Sequence, residues 1–150
     1  MQGQTVQSSP ENVPTLNEGP IKVAILDDDP SVRTAISRLV SASGMTGACF
    51  ANCMELFNGI LRFAPDCIIL DLYMPGLDGL EVMNYLRKNG EKAPIVLVTA
   101  QDDPALREIC LKAGASAFMR KPLPASDLLD VISQLVVSPA QGPATDGAPS

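Results

Sequence analysis

Between residues 21 and 137, short apolar runs alternate with longer stretches whose apolar positions recur every three or four residues. The run at 21–26 (IKVAIL) predicts a buried strand, because continuous Ile and Val suit a covered pleated surface. Asp29-Pro30 predicts a helix start, with Asp29 as N-cap and Pro30 at the first helical position. Val32, Ala35, Ile36, Leu39 and Val40 follow at helical spacing, and Gly44 ends that helix. Residues 46–50 read as a weaker second strand. Asn52 with Glu55 three residues on forms a capping-box pattern, and Leu56, Phe57, Ile60 and Leu61 predict the apolar face of the helix behind it. CIIL at 67–70 is the third predicted strand. A Pro/Gly/Asp loop at 74–79 separates it from a helix over 80–89, stopped by Gly90. IVLV at 95–98 is the fourth strand. Asp103-Pro104 opens a helix with Leu106, Ile109, Cys110 and Ala113 on one face, closed by Gly114. SAFM at 116–119 is the fifth strand. Past Pro122 and Pro124, Leu128, Leu129, Ile132 and Leu135 predict a last helix over 126–136.

Five strand–helix units in strict alternation imply an α/β fold with parallel pairing and right-handed crossovers. Continuously apolar strands fit a five-stranded sheet covered by helices on both faces. In such sheets ligands bind beyond the carboxyl ends of the strands, so residues there carry the chemistry.

The flanks differ in composition. Residues 1–20 are rich in Gln, Ser, Pro, Asn and Gly, and 138–150 are largely Pro, Ala and Gly. Neither buries enough apolar surface to offset its ordering entropy, so both are expected to be disordered tails around a single domain at 21–137. Net charge is −6, from 11 basic and 17 acidic residues, which argues against direct nucleic-acid binding. No segment approaches the roughly 20 apolar residues of a membrane span, and no secretory leader is visible. Cys49, Cys53, Cys67 and Cys110 form no CxxC, and the chain has no His, so a mixed Cys/His zinc site is excluded. Reduced cysteines in a cytoplasmic protein are the expectation.

At the strand ends stand Asp27, Asp28 and Asp29, then Asp71, then Thr99, then Lys121 before Pro122. Converging carboxylates repel unless a cation neutralises them, and all-oxygen ligands favour a hard ion such as Mg²⁺. A lysine and a hydroxyl suit phosphate oxygens, and a carboxylate can act as nucleophile to form an acyl phosphate. Singly, each residue has a plain structural reading. Asp29 is accounted for as a helix cap, Asp71 could be a turn residue, and Lys-Pro is a common surface pair. Together they follow four different strands on the edge where ligands bind.

Four segments carry a family resemblance: ILDDDPSVR at 25–33, ILDLYMPGLDGLEV at 69–82, VLVTA at 96–100 and AFMRKP at 117–122. In order and spacing they resemble the response-regulator receiver domains of two-component signalling, and the resemblance covers about 21–137. It implies a flavodoxin-like (βα)5 fold with strand order 2-1-3-4-5. It implies that Asp71 accepts a phosphoryl group from a phosphohistidine on a sensor histidine kinase or a histidine phosphotransfer protein. Asp28 would bind Mg²⁺ directly, Asp27 directly or through water, and Asp71 and the Tyr73 backbone carbonyl would complete the metal ligands. Thr99 and Lys121 would contact phosphoryl oxygens, and Lys121-Pro122 would be cis. The domain would catalyse only its own phosphorylation and dephosphorylation.

The resemblance also implies a switch, in which a phosphorylated Asp71 draws Thr99 inward and Phe118 turns in behind it. The alternative for Phe118 is an ordinary core residue. The readout face would be the fourth helix, fifth strand and fifth helix, available to a downstream protein or to phosphorylation-dependent homodimerisation. Tyr73 and Gln101 would flank the path of an attacking water and tune the phosphoryl lifetime; Tyr73 could equally serve a partner contact. Met74, Pro75, Gly76, Asp78 and Gly79 read as structural, with Gly79 expected in a backbone conformation that other residues avoid. A stand-alone receiver without an output domain is the leading expectation; a phosphoryl shuttle or sink, or the receiver part of a longer regulator, stay open. A phosphatase of a related fold would need an acceptor where Leu26 stands, and a flavin-type phosphate loop would not hold three acids.

Overall fold

The computed structural model describes residues 19–137 apart from Pro75 and Asp102; for Leu77 and Val137 only the backbone is described. Apart from Gly19 and Pro20, both predicted tails lie outside the described residues. Among the described residues the main sheet has five strands: β1 (Lys22–Leu26), β2 (Thr46–Phe50), β3 (Cys67–Asp71), β4 (Ile95–Thr99) and β5 (Ala117–Arg120). Five helices alternate with them: α1 (Pro30–Ala42), α2 (Cys53–Phe63), α3 (Gly79–Lys88), α4 (Pro104–Lys112) and α5 (Ala125–Val137). All pairings in this sheet are parallel, in the order β2-β1-β3-β4-β5.

The two sides of the sheet are filled by alternate residues of the same strands, as a period of two requires. Ala24, Leu26, Ile68, Leu70, Ile95 and Leu97 face one way, packing on Leu56 and Ile60 of α2, on Val82, Met83 and Leu86 of α3, and on Cys110 of α4. Val23, Ile25, Cys67, Ile69, Val96 and Val98 face the other way, onto Ile36 and Val40 of α1 and Leu128 and Ile132 of α5. Each Val, Ile, Leu or Met side chain among these, taken fully out of water, contributes about 1.5–3 kcal/mol.

The predicted N-caps are present, but the return bond of the capping box at Asn52 is shifted one residue, to Ala51 N–H. The Asp29 carboxylate accepts from Ser31 N–H at 2.9 Å and Asp103 from Ala105 N–H at 3.0 Å. Asn52 accepts from Glu55 N–H at 2.9 Å while Glu55 accepts from Ala51 N–H at 2.9 Å. Gly90 and Gly114, after α3 and α4, have φ of +90° and +115°, a region costly for any residue with a Cβ.

Three expectations need correction. Leu61 is not on the buried face of α2, being 83% exposed. It lies five residues past Leu56, about 140° around the helix, whereas Ile60 lies nearly in line. Ile109 of α4 is 54% exposed for the same reason, because Leu106 and Cys110 form the inward row and Ile109 sits to one side; Ala113, assigned to the same face, is the exposed C-cap of α4. Gly79 does not have a left-handed backbone. A Cβ there would lie 2.7 Å from the Asp71 carbonyl oxygen and 2.8 Å from Leu72 Cα, so the glycine is required by close approach of chain to chain. The loop after β3 also contains a two-residue antiparallel ladder, Tyr73 with Asp78 and Met74 with Leu77, too short to be read from a sequence period.

Candidate functional site

The carboxyl edge of the sheet gathers side chains from β1, β3, β4 and the segment after β5. Asp27 follows β1 and is 1% exposed; Asp71 and Thr99 are the last residues of β3 and β4, at 5% and 1%. One carboxylate oxygen from each of Asp27, Asp28 and Asp71 lies within 4.8 Å of the others, and Asp28 alone is exposed. Lys121 donates to Asp27 Oδ2 at 2.8 Å and stands 3.5 Å from Asp71 Oδ1. Its peptide bond to Pro122 is cis.

Asp27 is held from several sides. Its Oδ1 accepts from Asp29 N–H at 2.9 Å, and its own N–H donates to the Phe50 carbonyl at 3.3 Å. Arg33, one turn into α1, donates from Nη1 to the Asp27 carbonyl at 2.8 Å. Sequence reasoning assigned Arg33 no role. A signal was present, since Arg33 lies four residues past the Asp29 cap and so points back along the helix toward the strand end.

Electrostatics follow from this crowding. Burial pushes the Asp71 carboxyl up to about 6, the Asp27 charge adds to that, and Lys121 and the Tyr73 N–H pull in the opposite direction. Lys121 loses hydration, which favours its neutral form, but the pull of Asp27 and Asp71 outweighs this and holds its ammonium above the ordinary value. One ammonium among three carboxylates leaves a net negative pocket, and its carboxylate oxygens suit a hard divalent cation. Thr99 Oγ1 accepts from Gln101 N–H at 3.1 Å, which leaves the hydroxyl proton to donate elsewhere. Phe118 is buried in the α2–α3–α4 side of the core, at 9% exposure. Tyr73 projects outward, half exposed.

Beside Lys121 and Pro122 a groove of about 770 Å³ runs between α1 and α5, lined largely by apolar atoms of Val32, Ala35, Leu39, Leu123 and Leu128. Lys121, which touches Asp27 and stands near Asp71, also lines this groove. Among the described residues, no helix is long and apolar enough to cross a membrane.

A doubly covered parallel sheet with an acidic pocket and one lysine at its carboxyl edge defines a receiver-type signalling domain. The family model "Response regulator receiver domain" matches residues 23–133, and the chain belongs to that family. Response regulator MprA of Mycobacterium sp. (strain KMS) is 36% identical over 126 residues, covering 83% of this chain and 55% of that protein. Response regulator protein TodT of Pseudomonas putida is 37% identical over 120 residues, covering 79% of this chain and 53% of that protein. The chain thus spans about half the length of these curated relatives. Among solved structures, the receiver domain of Francisella response regulator 1452 superposes with a TM-score of 0.73 at 26% identity, covering 78% of this chain and 97% of that one. The BeF3-activated N-terminal receiver domain of Klebsiella pneumoniae RstA gives 0.71 at 30% identity, covering 77% and 97%. The protein is therefore a response-regulator receiver of two-component signalling.

Proposed function

We propose that Asp71 is the phosphoryl acceptor of this receiver, and that it takes the group from a phosphohistidine on a sensor kinase or phosphotransfer protein. The observation that carries this reading is the grouping of Asp27, Asp28 and Asp71 within 4.8 Å, with Lys121 between Asp27 and Asp71. Asp27, Asp28 and Asp71, with the Tyr73 backbone carbonyl, would hold a Mg²⁺ ion. When bound, that ion would neutralise charge on the phosphoryl oxygens.

An Asp71 carboxylate oxygen forms the new bond to phosphorus as the bond to the donor's histidine nitrogen breaks, and the electron pair stays on the imidazole. Asp71 must be ionised to act, and Lys121 favours that form. Lys121 then offers its ammonium, and Thr99 its hydroxyl, to the oxygens of the transferred group. Arg33 and the Asp29 N–H keep Asp27 oriented through the reaction. The apolar groove between α1 and α5 supports a protein donor, because it offers a binding surface that ends at Lys121. Tyr73 and Gln101 flank the acceptor and set how readily water reaches it.

Phosphorylation would be read out through Thr99 and Phe118 by α4, β5 and α5. Phe118 is already turned inward, which supports a low cost for the inward state. Arg107 of α4 donates to the Phe118 carbonyl at 3.4 Å, so movement of the strand is felt directly by α4. The domain comprises residues 21–137 and acts in the cytoplasm on a protein target, catalysing only its own phosphorylation and dephosphorylation. The same chemistry would serve a stand-alone receiver, a phosphoryl shuttle, or the regulatory part of a longer regulator.

The test is intact mass after incubation with Mg²⁺ and a small phosphodonor. Wild type should gain one phosphoryl group, but none when the metal is chelated beforehand, and Asp71→Asn should gain none. Equal addition to both proteins would remove Asp71 from this role.

A further inference from the structure

The outer side of α2 is not used by the phosphoryl site or by the readout face. Met54 and Leu61 there are 66% and 83% exposed, and seven residues apart they lie in line along two turns. Tyr85 of α3 extends the apolar area, 48% exposed and with its ring 4.3 Å from that of Phe57. A groove of about 220 Å³ opens between the two helices, floored by Ile60 and Leu86 and walled by Leu61 and Tyr85. Exposed leucines occur singly on most proteins, whereas here Leu61 and Tyr85 flank one groove and Met54 stands two turns from Leu61 on the same side of α2, with Asn58 between them.

The charges on the stripe say what covers it. Glu55 and Arg62 are both exposed, are also seven residues apart, and each follows one apolar member of the stripe. The acid stands in the first turn of α2 and the base in the last. A partner of one charge sign would be repelled at one end. A second copy of the same helix, run antiparallel, meets both ends with opposite charge.

We propose that the α2–α3 face is a self-association surface, occupied by the same face of a second copy about a two-fold axis near Asn58. In that arrangement Glu55 of each copy meets Arg62 of the other, and Met54 of each meets Leu61 of the other. The flexible Met54 side chain fills the partner's groove beside Leu61 and Tyr85. Glu55 can take part while keeping its cap, because only Oε1 is engaged by Ala51 N–H. Eleven residues of helix span about 16 Å, so the contact is at the small end of specific interfaces and the association is weak and reversible. It needs no phosphorylation, and it differs in residues from any dimer formed through α4, β5 and α5.

Sedimentation velocity of the whole chain, without metal or phosphodonor, tests this across low-micromolar to submillimolar concentration. A monomer–dimer equilibrium is expected. Leu61→Glu and Arg62→Glu should each weaken it about tenfold or more, and Glu55→Arg added to Arg62→Glu should restore it. All altered residues are exposed, and unchanged circular dichroism should show an intact fold, with a lower melting temperature expected where Glu55→Arg removes the acceptor of Ala51 N–H. Asn58→Cys in a Cys49→Ser background should form a disulfide-linked dimer under mild oxidation, whereas Ile109→Cys in the same background should not. A chain that stays monomeric at every concentration would overturn the proposal. So would a dimer unmoved by Leu61→Glu and Arg62→Glu, or one lost only on Ile109→Glu.

Discussion

Asp71 is a carboxylate placed where its charge is costly until something neutralises it. Its value in the folded protein is about 6, above the ordinary 3.8. A raised carboxyl pKa means that the folded state binds the proton more tightly than the unfolded chain. The ionised group therefore opposes folding fully above about pH 6, and that opposition fades as pH falls from there to below about 4. Without metal, Asp71→Asn should be more stable than wild type at neutral pH by on the order of 2 kcal/mol, an advantage that should vanish near pH 4. Thermal melts of both proteins across that range check the sign, and Mg²⁺ should narrow the gap at neutral pH by stabilising wild type. Lys121 works the other way. Lys121→Met would leave Asp27 and Asp71 buried without their cation, and should cost about 2–4 kcal/mol in denaturant melts. Phosphoryl addition should fall with it.

At the scale of elements, the site depends on how tightly the chain after β3 folds back. Gly79 N–H donates to the Leu72 carbonyl, and Gly79 itself leaves no room for a methyl group against the Asp71 backbone. Gly79→Ala should cost about 1–3 kcal/mol and slow phosphoryl addition, because the forced shift falls on the peptide of Asp71, the proposed acceptor. Urea melts and the mass assay together separate the two effects. Asp103→Ala should be milder, about 1 kcal/mol from the lost α4 cap, with phosphoryl addition retained. The surface rows of α2 and α4 show the limit of reading single apolar residues from spacing. Leu61 and Ile109 looked like core because they are large and apolar and lie next to helical positions that are core. The difference between inside and outside is one step of about 100° around the helix, and only the packing partners decide it.

For the whole molecule, stability rests on a sheet covered on both faces, so truncation at either face should be costly. Leu128→Ala, on the α1–α5 side, should lose about 2–5 kcal/mol, measured by chemical denaturation. The donor docking proposed for the groove between α1 and α5 can be tested apart from the chemistry. Ala35→Arg, an exposed position in that groove, should slow transfer from a phosphohistidine protein while leaving addition from a small phosphodonor near wild type. Comparing the two donors by rate of phosphoryl incorporation checks this directly.

The alternation of five apolar runs with five helical patterns, and the caps at Asp29, Asn52 and Asp103, were legible in the sequence because local periods and turn chemistry determine them. So were Asp27, Asp28, Asp71, Thr99 and Lys121, because parallel alternation carries strand-end residues to one edge. Tertiary structure alone decided the rest. It brought Lys121 within 2.8 Å of Asp27 across 94 residues of chain, put Arg33 on the Asp27 carbonyl, and made Gly79 a close-contact glycine. It also turned Phe118 inward and left Met54 and Leu61 outside. Those outcomes depend on which surfaces meet across long stretches of chain, and no local period encodes that.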